Sequence, residues 1–174
     1  MSPTAAANTE SSFPVAGIAQ DGWSTEDEAT ATCYCGTVQL ALPTSKPGFV
    51  TSVVCHCSDC RKITASMFSS LIVILDTHLR HIRGEENLKQ YSQSQTIERK
   101  GNAMTNFFCS TCGSLMYRRA AGYPGASLLR LGTVDDFKLA ETKLRPECEQ
   151  YLKYRVGWLQ DIEKVHHVEG QLSL

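Results

Sequence analysis

Apolar residues in this chain come in short runs, several of them alternating with polar positions, which is the period of a strand and not of a helix. Thr32 to Leu42 alternates for much of its length and stops at Pro43, and predicts the first strand. Val50 to Val54 is a β-branched run that predicts a second. Met67 to Leu75, with its uninterrupted Leu71-Ile72-Val73-Ile74-Leu75, predicts a buried strand. Met104 to Phe108, Ser114 to Arg118 and Ser127 to Leu131 predict three more. Between them, Cys60 to Ser66 reads as a short helical turn, Arg83-Gly84-Glu85 as a turn and Glu86 to Tyr91 as a single turn of helix. No window carries the sustained helical period of a bundle, and no segment repeats. The expectation is a mainly β protein with short helical pieces.

Composition narrows this. The 174 residues suffice for one domain with a hydrophobic core. Residues 1–30 are rich in Ala, Ser, Thr, Asp and Glu and lack apolar periodicity apart from Phe13-Pro14-Val15 and Gly22-Trp23, so they read as a flexible N-terminal arm ahead of a domain spanning 31–170. A formal net charge of -1 supplies no steering field for a polyanion, which argues against nucleic acid as a partner. No apolar stretch reaches the roughly 18 residues of a membrane span, and the N-terminus has neither the basic region nor the apolar core of a secretory signal; the expected location is the cytoplasm.

Eight cysteines in a reducing compartment read as metal ligands before disulfides, and their spacing supports this. Cys109-Ser110-Thr111-Cys112-Gly113 has the form of a zinc knuckle, with a glycine where the turn needs positive φ. It supplies two ligands and needs a partner. Cys33 and Cys35, two apart and so on one side of a strand, can provide the other pair and staple the first strand to the hairpin around Phe107 to Tyr117. Cys55, Cys57 and Cys60 then remain as three thiols within one loop, Cys55-His56-Cys57-Ser58-Asp59-Cys60. A closed structural zinc takes four protein ligands, whereas a catalytic one keeps three and leaves a position for a reactant. Cys148 would close this second site if it reached it, and otherwise is a small buried hydrophobe. An iron–sulfur cluster on the triad is compatible with the spacing. Alternation points His56 away from the metal, which makes it a supporting or structural histidine before a ligand or proton shuttle, and Asp59 reads as a loop hydrogen-bond acceptor or a solvated side chain.

The ordered set Cys33-x-Cys35-Gly36-x-Val38, Cys55-His56-Cys57-x-x-Cys60-Arg61 and Phe108-Cys109-x-x-Cys112-Gly113-Ser114 resembles the glutathione-dependent formaldehyde-activating enzyme (GFA) family, which includes centromere protein V. Gly84-Glu85-x-x-Leu88-x-x-Tyr91-Ser92, Leu131-Gly132-Thr133-Val134-Asp135-Asp136 and Arg155-Val156-x-Trp158-Leu159 add to it, so that the resemblance covers about Ala31 to Gly170. It implies antiparallel sheets of β-tent type stapled by zinc. It implies two zinc ions per chain, a structural one on Cys33, Cys35, Cys109 and Cys112 and a catalytic one on Cys55, Cys57 and Cys60. Where many family members carry a histidine after the late proline, this chain has Glu149, preceded by Cys148.

The activity implied is that of a carbon–sulfur lyase: glutathione, or a thiol adduct, brings its sulfur as a thiolate to the open zinc position, as in formation of S-hydroxymethylglutathione from formaldehyde, or the same bond is cleaved. Such a substrate needs cations for its carboxylates, and Arg61, next to the triad, is the first candidate, with Lys62, Arg118, Arg119 and Arg130 behind it. Phe107 and Phe108 read as core. Two other classes stay open at this point, a metal-dependent enzyme of small-molecule biosynthesis that does not use glutathione and a non-catalytic zinc scaffold that binds a protein partner.

Overall fold

The computed structural model describes residues 17–98 and 102–172. Residues 1–16, the larger part of the expected arm, lie outside the described residues. The strands are β1 (Glu28–Thr32), β2 (Gln39–Pro43), β3 (Phe49–Cys55), β4 (Ser69–Leu75), β5 (Arg80–Arg83), β6 (Leu88–Gln93), β7 (Met104–Cys109), β8 (Leu115–Ala120), β9 (Ala126–Arg130), β10 (Cys148–Gln150) and β11 (His166–Val168). Two short helices, α1 (Ser58–Thr64) and α2 (Lys138–Glu141), and four single 3-10 turns join them. The protein is mainly β, as its periodicity predicts.

Two sheets result. A small antiparallel one has the order β1-β2-β5, and a large one the order β11-β10-β3-β4-β9-β8-β7-β6. The large sheet is antiparallel from β3 to β6 and turns mixed at its other edge, where β10 pairs parallel with both β3 and β11. That edge was not legible in the sequence, because three-residue strands carry no period to count.

Side-chain alternation on β4 explains how the molecule is layered. Ile72 and Ile74 point to one face of the large sheet and join Met116 and Leu129 against Ala29, Ala31, Leu40 and Leu42 of the small sheet, forming the main core. Leu71 and Val73 point to the other face and form a second apolar cluster with Val53, Leu128 and Tyr151. Burial on both faces is why this segment is uninterruptedly apolar and does not alternate. Each fully buried aliphatic side chain contributes about 1.5–3 kcal/mol.

Three sequence-derived expectations need correction. The first predicted strand is two: β1 ends at Thr32 and β2 starts at Gln39, with the Cys33–Cys35 pair in the turn between them. Gly36, at φ +80°, makes that turn possible, its amide bonding the Cys33 carbonyl at 2.9 Å. The pair is therefore presented by a hairpin tip, which lets the two sulfurs converge as same-side strand positions would not. Glu86 to Tyr91 is one 3-10 turn (Glu85–Asn87) followed by β6, because Leu88 to Gln93 pairs in full register with β7. The helical turn after the three-cysteine loop begins at Ser58, ahead of the predicted Cys60.

β1 starts at Glu28, inside the stretch assigned to the arm. Before it, Trp23 exchanges backbone and side-chain hydrogen bonds with Thr30. Asp135 accepts from the hydroxyls of Thr30 (2.5 Å) and Thr32 (2.7 Å), tying β1 to the turn after β9. Burial holds the Asp135 carboxyl above its ordinary range despite those two donors.

Candidate functional site

The fold gathers the cysteines into two groups. In the first, the sulfurs of Cys33, Cys35, Cys109 and Cys112 all lie within 4.8 Å of one another. Cys109 ends β7, and Cys112 sits in the turn to β8, where Gly113 takes φ +75° and its amide bonds the Cys109 carbonyl at 2.9 Å. A tetrahedral zinc with bonds of about 2.3 Å sets its sulfurs about 3.8 Å apart. The Cys33–Cys35 and Cys35–Cys109 separations of 3.6 and 3.7 Å fit that edge length. The donor set is that of a closed site: four thiols and no other titratable side chain in the group.

Proton affinities within this group are uneven. Burial pushes the Cys33 thiol up to about 12. Burial also raises Cys112, but the hydroxyl and backbone of Ser114 and the backbone of Cys35 outweigh it and bring it down to about 6. The Thr37 hydroxyl, 3.1 Å from the Cys35 sulfur, lowers that thiol too. Two of the four are thus held toward the thiolate that a metal requires.

The second group is Cys55, Cys57 and Cys60, again within 4.8 Å. Cys55 ends β3, and Cys57 is the N-cap of α1, its sulfur accepting the Cys60 amide at 3.4 Å. Cys60 lies one turn into the helix, which brings it back over Cys57. α1 ends at Ala65 in the left-handed conformation. Hydrogen bonds with Cys57 and Cys60, and then burial, drive the Cys55 thiol upward. Cys57 is lowered by Cys55 but raised further by Cys60 and by burial, to about 11. Cys60 is pulled well below its ordinary value by hydrogen bonds from the other two thiols and by the charges of Arg130 and Arg118. At this spacing a thiolate disfavours ionisation of its neighbours, and a cation among them would remove that repulsion.

Both arginines are buried beneath the triad. Arg118 on β8 points Nη1 at the Cys60 sulfur, 3.7 Å away, and its Nε has no partner. Arg130 on β9 donates to Ser69 Oγ, and its Nε and Nη2 have none. In the sequence both are candidate carboxylate binders. The structure places Arg130 next to Cys60 and outside the cavity wall, and Arg118 next to Cys60 and on that wall. Arg119 faces the other way, stacked over Phe107 and Tyr117 and bonded to Ser127. Phe107 is core, stacked on Tyr117 at 4.5 Å. The Arg61 guanidinium reaches the Tyr154 carbonyl (3.4 Å) and the Met67 sulfur (3.7 Å) and is not on the cavity wall.

The triad opens onto a cavity of about 270 Å³ on the second face of the large sheet. Cys55, Cys57 and Cys60 all line it, whereas no member of the four-cysteine group does. Asp59 and Glu98 stand at its rim, Asp59 bonded by the Thr96 hydroxyl at 2.7 Å. Tyr151 forms part of the wall at φ +60°, a conformation a non-glycine residue adopts at a cost of about 1–2 kcal/mol. That strain fits a side chain held in place for the site.

Cys148 is buried opposite Val53 on β10, outside both cysteine groups, and burial raises its thiol. Its neighbour Glu149 meets His56. The imidazole Nε2 lies 2.7 Å from Glu149 Oε1, with both side chains buried, and Oε2 lies 3.2 Å from His167 Nε2 and 3.6 Å from Arg155 Nη1. His56 thus points away from the triad, as alternation predicts, and pins its loop to β10. This contact joins residues far apart in the chain, and no local pattern signals it. Glu149→Ala strands His56 in a dry interior and is expected to cost about 2–3 kcal/mol. Glu149→Gln keeps an acceptor and should cost less, both read by chemical denaturation.

Comparison with known proteins gives the chain a family. The sequence model of the family described as glutathione-dependent formaldehyde-activating enzyme matches residues 28–154. None of the curated proteins compared with the chain matches it. Among solved structures, a Rhodobacter sphaeroides protein is similar, with a TM-score of 0.49 and 24% identity over 62% of this chain and 88% of that one. Among the described residues no helix is long and apolar enough to cross a membrane.

Proposed function

The chain belongs to the glutathione-dependent formaldehyde-activating enzyme family, and from that premise we propose that it makes or breaks a carbon–sulfur bond on a thiol substrate bound at Cys55, Cys57 and Cys60. One observation carries the reading: of the two cysteine groups, it is the three-thiol group that lines the cavity on the second face of the large sheet, and the four-thiol group stands apart from that cavity. Two zinc ions per chain fit these donors, one closed and one with a free position. Zinc held by the triad would supply Lewis acidity that favours the thiolate of an entering thiol.

The chain's own residues set the rest. Arg118 and Arg130 fix two positive charges next to sulfurs that must all be thiolates to act as ligands, and so offset the negative charge of the triad and of an incoming sulfur. The buried His56–Glu149 contact holds the loop, so that the three sulfurs stay together without a fourth from Cys148. In the forward direction the sulfur gives up its proton and bonds the carbonyl carbon, and the carbonyl oxygen takes up a proton. The reverse direction returns thiol and carbonyl compound, as a lyase does. Glutathione is the thiol the family points to, with formaldehyde as electrophile. Arg118, on the cavity wall, is the cation placed to meet a substrate carboxylate or the reacting oxygen, a role for which Arg61, outside that wall, is less well placed.

The test is elemental analysis followed by glutathione titration of the cobalt-substituted protein. Two metals per chain, with a change in the thiolate-to-cobalt band of one of them, is the expected outcome. Two metals indifferent to any thiol would leave a purely structural pair of sites.

A further inference from the structure

The cavity has thiols at one end and a wall of different character at the other. Glutathione is polar along its whole length, yet beyond the triad, beside polar side chains such as Asn102 and Gln150, the cavity has an apolar floor crossing three adjacent strands. Val53, two residues before Cys55 and on the same face, pairs directly with Leu71. Val73, two residues on from Leu71, pairs with Leu128, and Leu128 in turn pairs with Arg118. The four apolar side chains belong to one cluster and line the cavity. At about 4.8 Å between strands, this floor extends about 10 Å away from Cys55. Ala120 and Ala126, small residues on the wall, leave room above it.

Resting on the open-triad reading, we propose that the substrate is a thiol or thiol adduct carrying a bulky apolar substituent, aromatic or branched aliphatic. Its sulfur sits at Cys55, Cys57 and Cys60, and its substituent lies on Val53, Leu71, Val73 and Leu128. The volume suits such a group, since a cavity of about 150 Å³ already takes up benzene, and this one, with the space at the thiols included, measures about 270 Å³. Arg118 sits where the two halves meet, its unpartnered Nε buried within the protein.

The experiment is a titration of the cobalt-loaded full chain with phenylmethanethiol and with 2-sulfanylethanol, concentrations expressed as thiolate, following the thiolate-to-cobalt band. Phenylmethanethiol is expected to half-saturate the band at a concentration at least about tenfold lower. Ala126→Phe, which fills the cavity away from the sulfurs, should bring that ratio close to one and leave the 2-sulfanylethanol titration unchanged. If both thiols shift the band with equal affinity, the apolar subsite is wrong and the open triad stands. If neither thiol shifts it, the open triad is wrong and the subsite falls with it.

Discussion

Cys57→Ser is expected to cut turnover of a thiol adduct by at least about 100-fold, a scale that even the outer partners of metal ligands reach when removed, while the protein stays folded. The structure makes this substitution unusually clean. Cys57 is the N-cap of α1, with its sulfur on the Cys60 amide, and serine is among the best residues at such a position. Helix α1 therefore keeps its first turn when the thiol is lost. The expected readings are one metal per chain by elemental analysis, a midpoint of thermal unfolding within a few degrees of the parent, and no response of the remaining metal to thiols. A variant that loses activity together with its fold would mean that the triad is a second structural site.

Cys112→Ser is expected to do the opposite, removing the cooperative fold and with it any activity. Binding of a structural zinc is worth about 10–16 kcal/mol in small zinc domains, as much as the whole stability of a typical domain, about 5–15 kcal/mol. The four-thiol group links the β1–β2 turn to the β7–β8 turn, one from each sheet, and Cys33 and Cys109 are buried in the main core. Without the metal, four thiols remain crowded there, with Cys33 protonated and Cys112 tending to ionise. A chelator strong enough to strip both metals should reproduce the effect. Hydrogen exchange would show the loss first at the amides of Val38, Cys109 and Gly113, whose bonds close the two turns. If Cys57→Ser and Cys112→Ser unfold the chain to the same extent, the division into a closed and an open site is wrong.

How much of this was legible from the sequence differs from residue to residue. The Cys109–Cys112 turn with its positive-φ glycine could be read locally, because a ligand pair and the turn that presents it occupy five consecutive residues. Cys33 and Cys35 were paired with it by counting ligands, although the strand expected to carry them is a hairpin tip; the error came from alternation running on through a turn that Gly36 permits. The Met67 to Leu75 run was read as buried. That its odd and even positions serve different ends, Ile72 and Ile74 the core and Leu71 and Val73 the cavity, has no sequence signal, since both faces call for the same kind of residue.

The arginines show the limit most plainly. Arg61 drew notice by standing next to Cys60, whereas Arg118 and Arg130, on β8 and β9, are the ones beneath it. Their distance along the chain is closed only by the sheet order β4-β9-β8. Glu149 stood out as a departure from the family's habit, and only its parallel pairing with β3 brings it to His56. By itself, then, the sequence determined the cysteine motifs that could hold a metal, the mainly β class and the family, because each rests on residue types at short spacings that the covalent chain enforces. Tertiary structure alone decided which thiols face a cavity, which cations lie under them and what the cavity wall is made of, because those are set by register and sheet order between strands far apart in the chain.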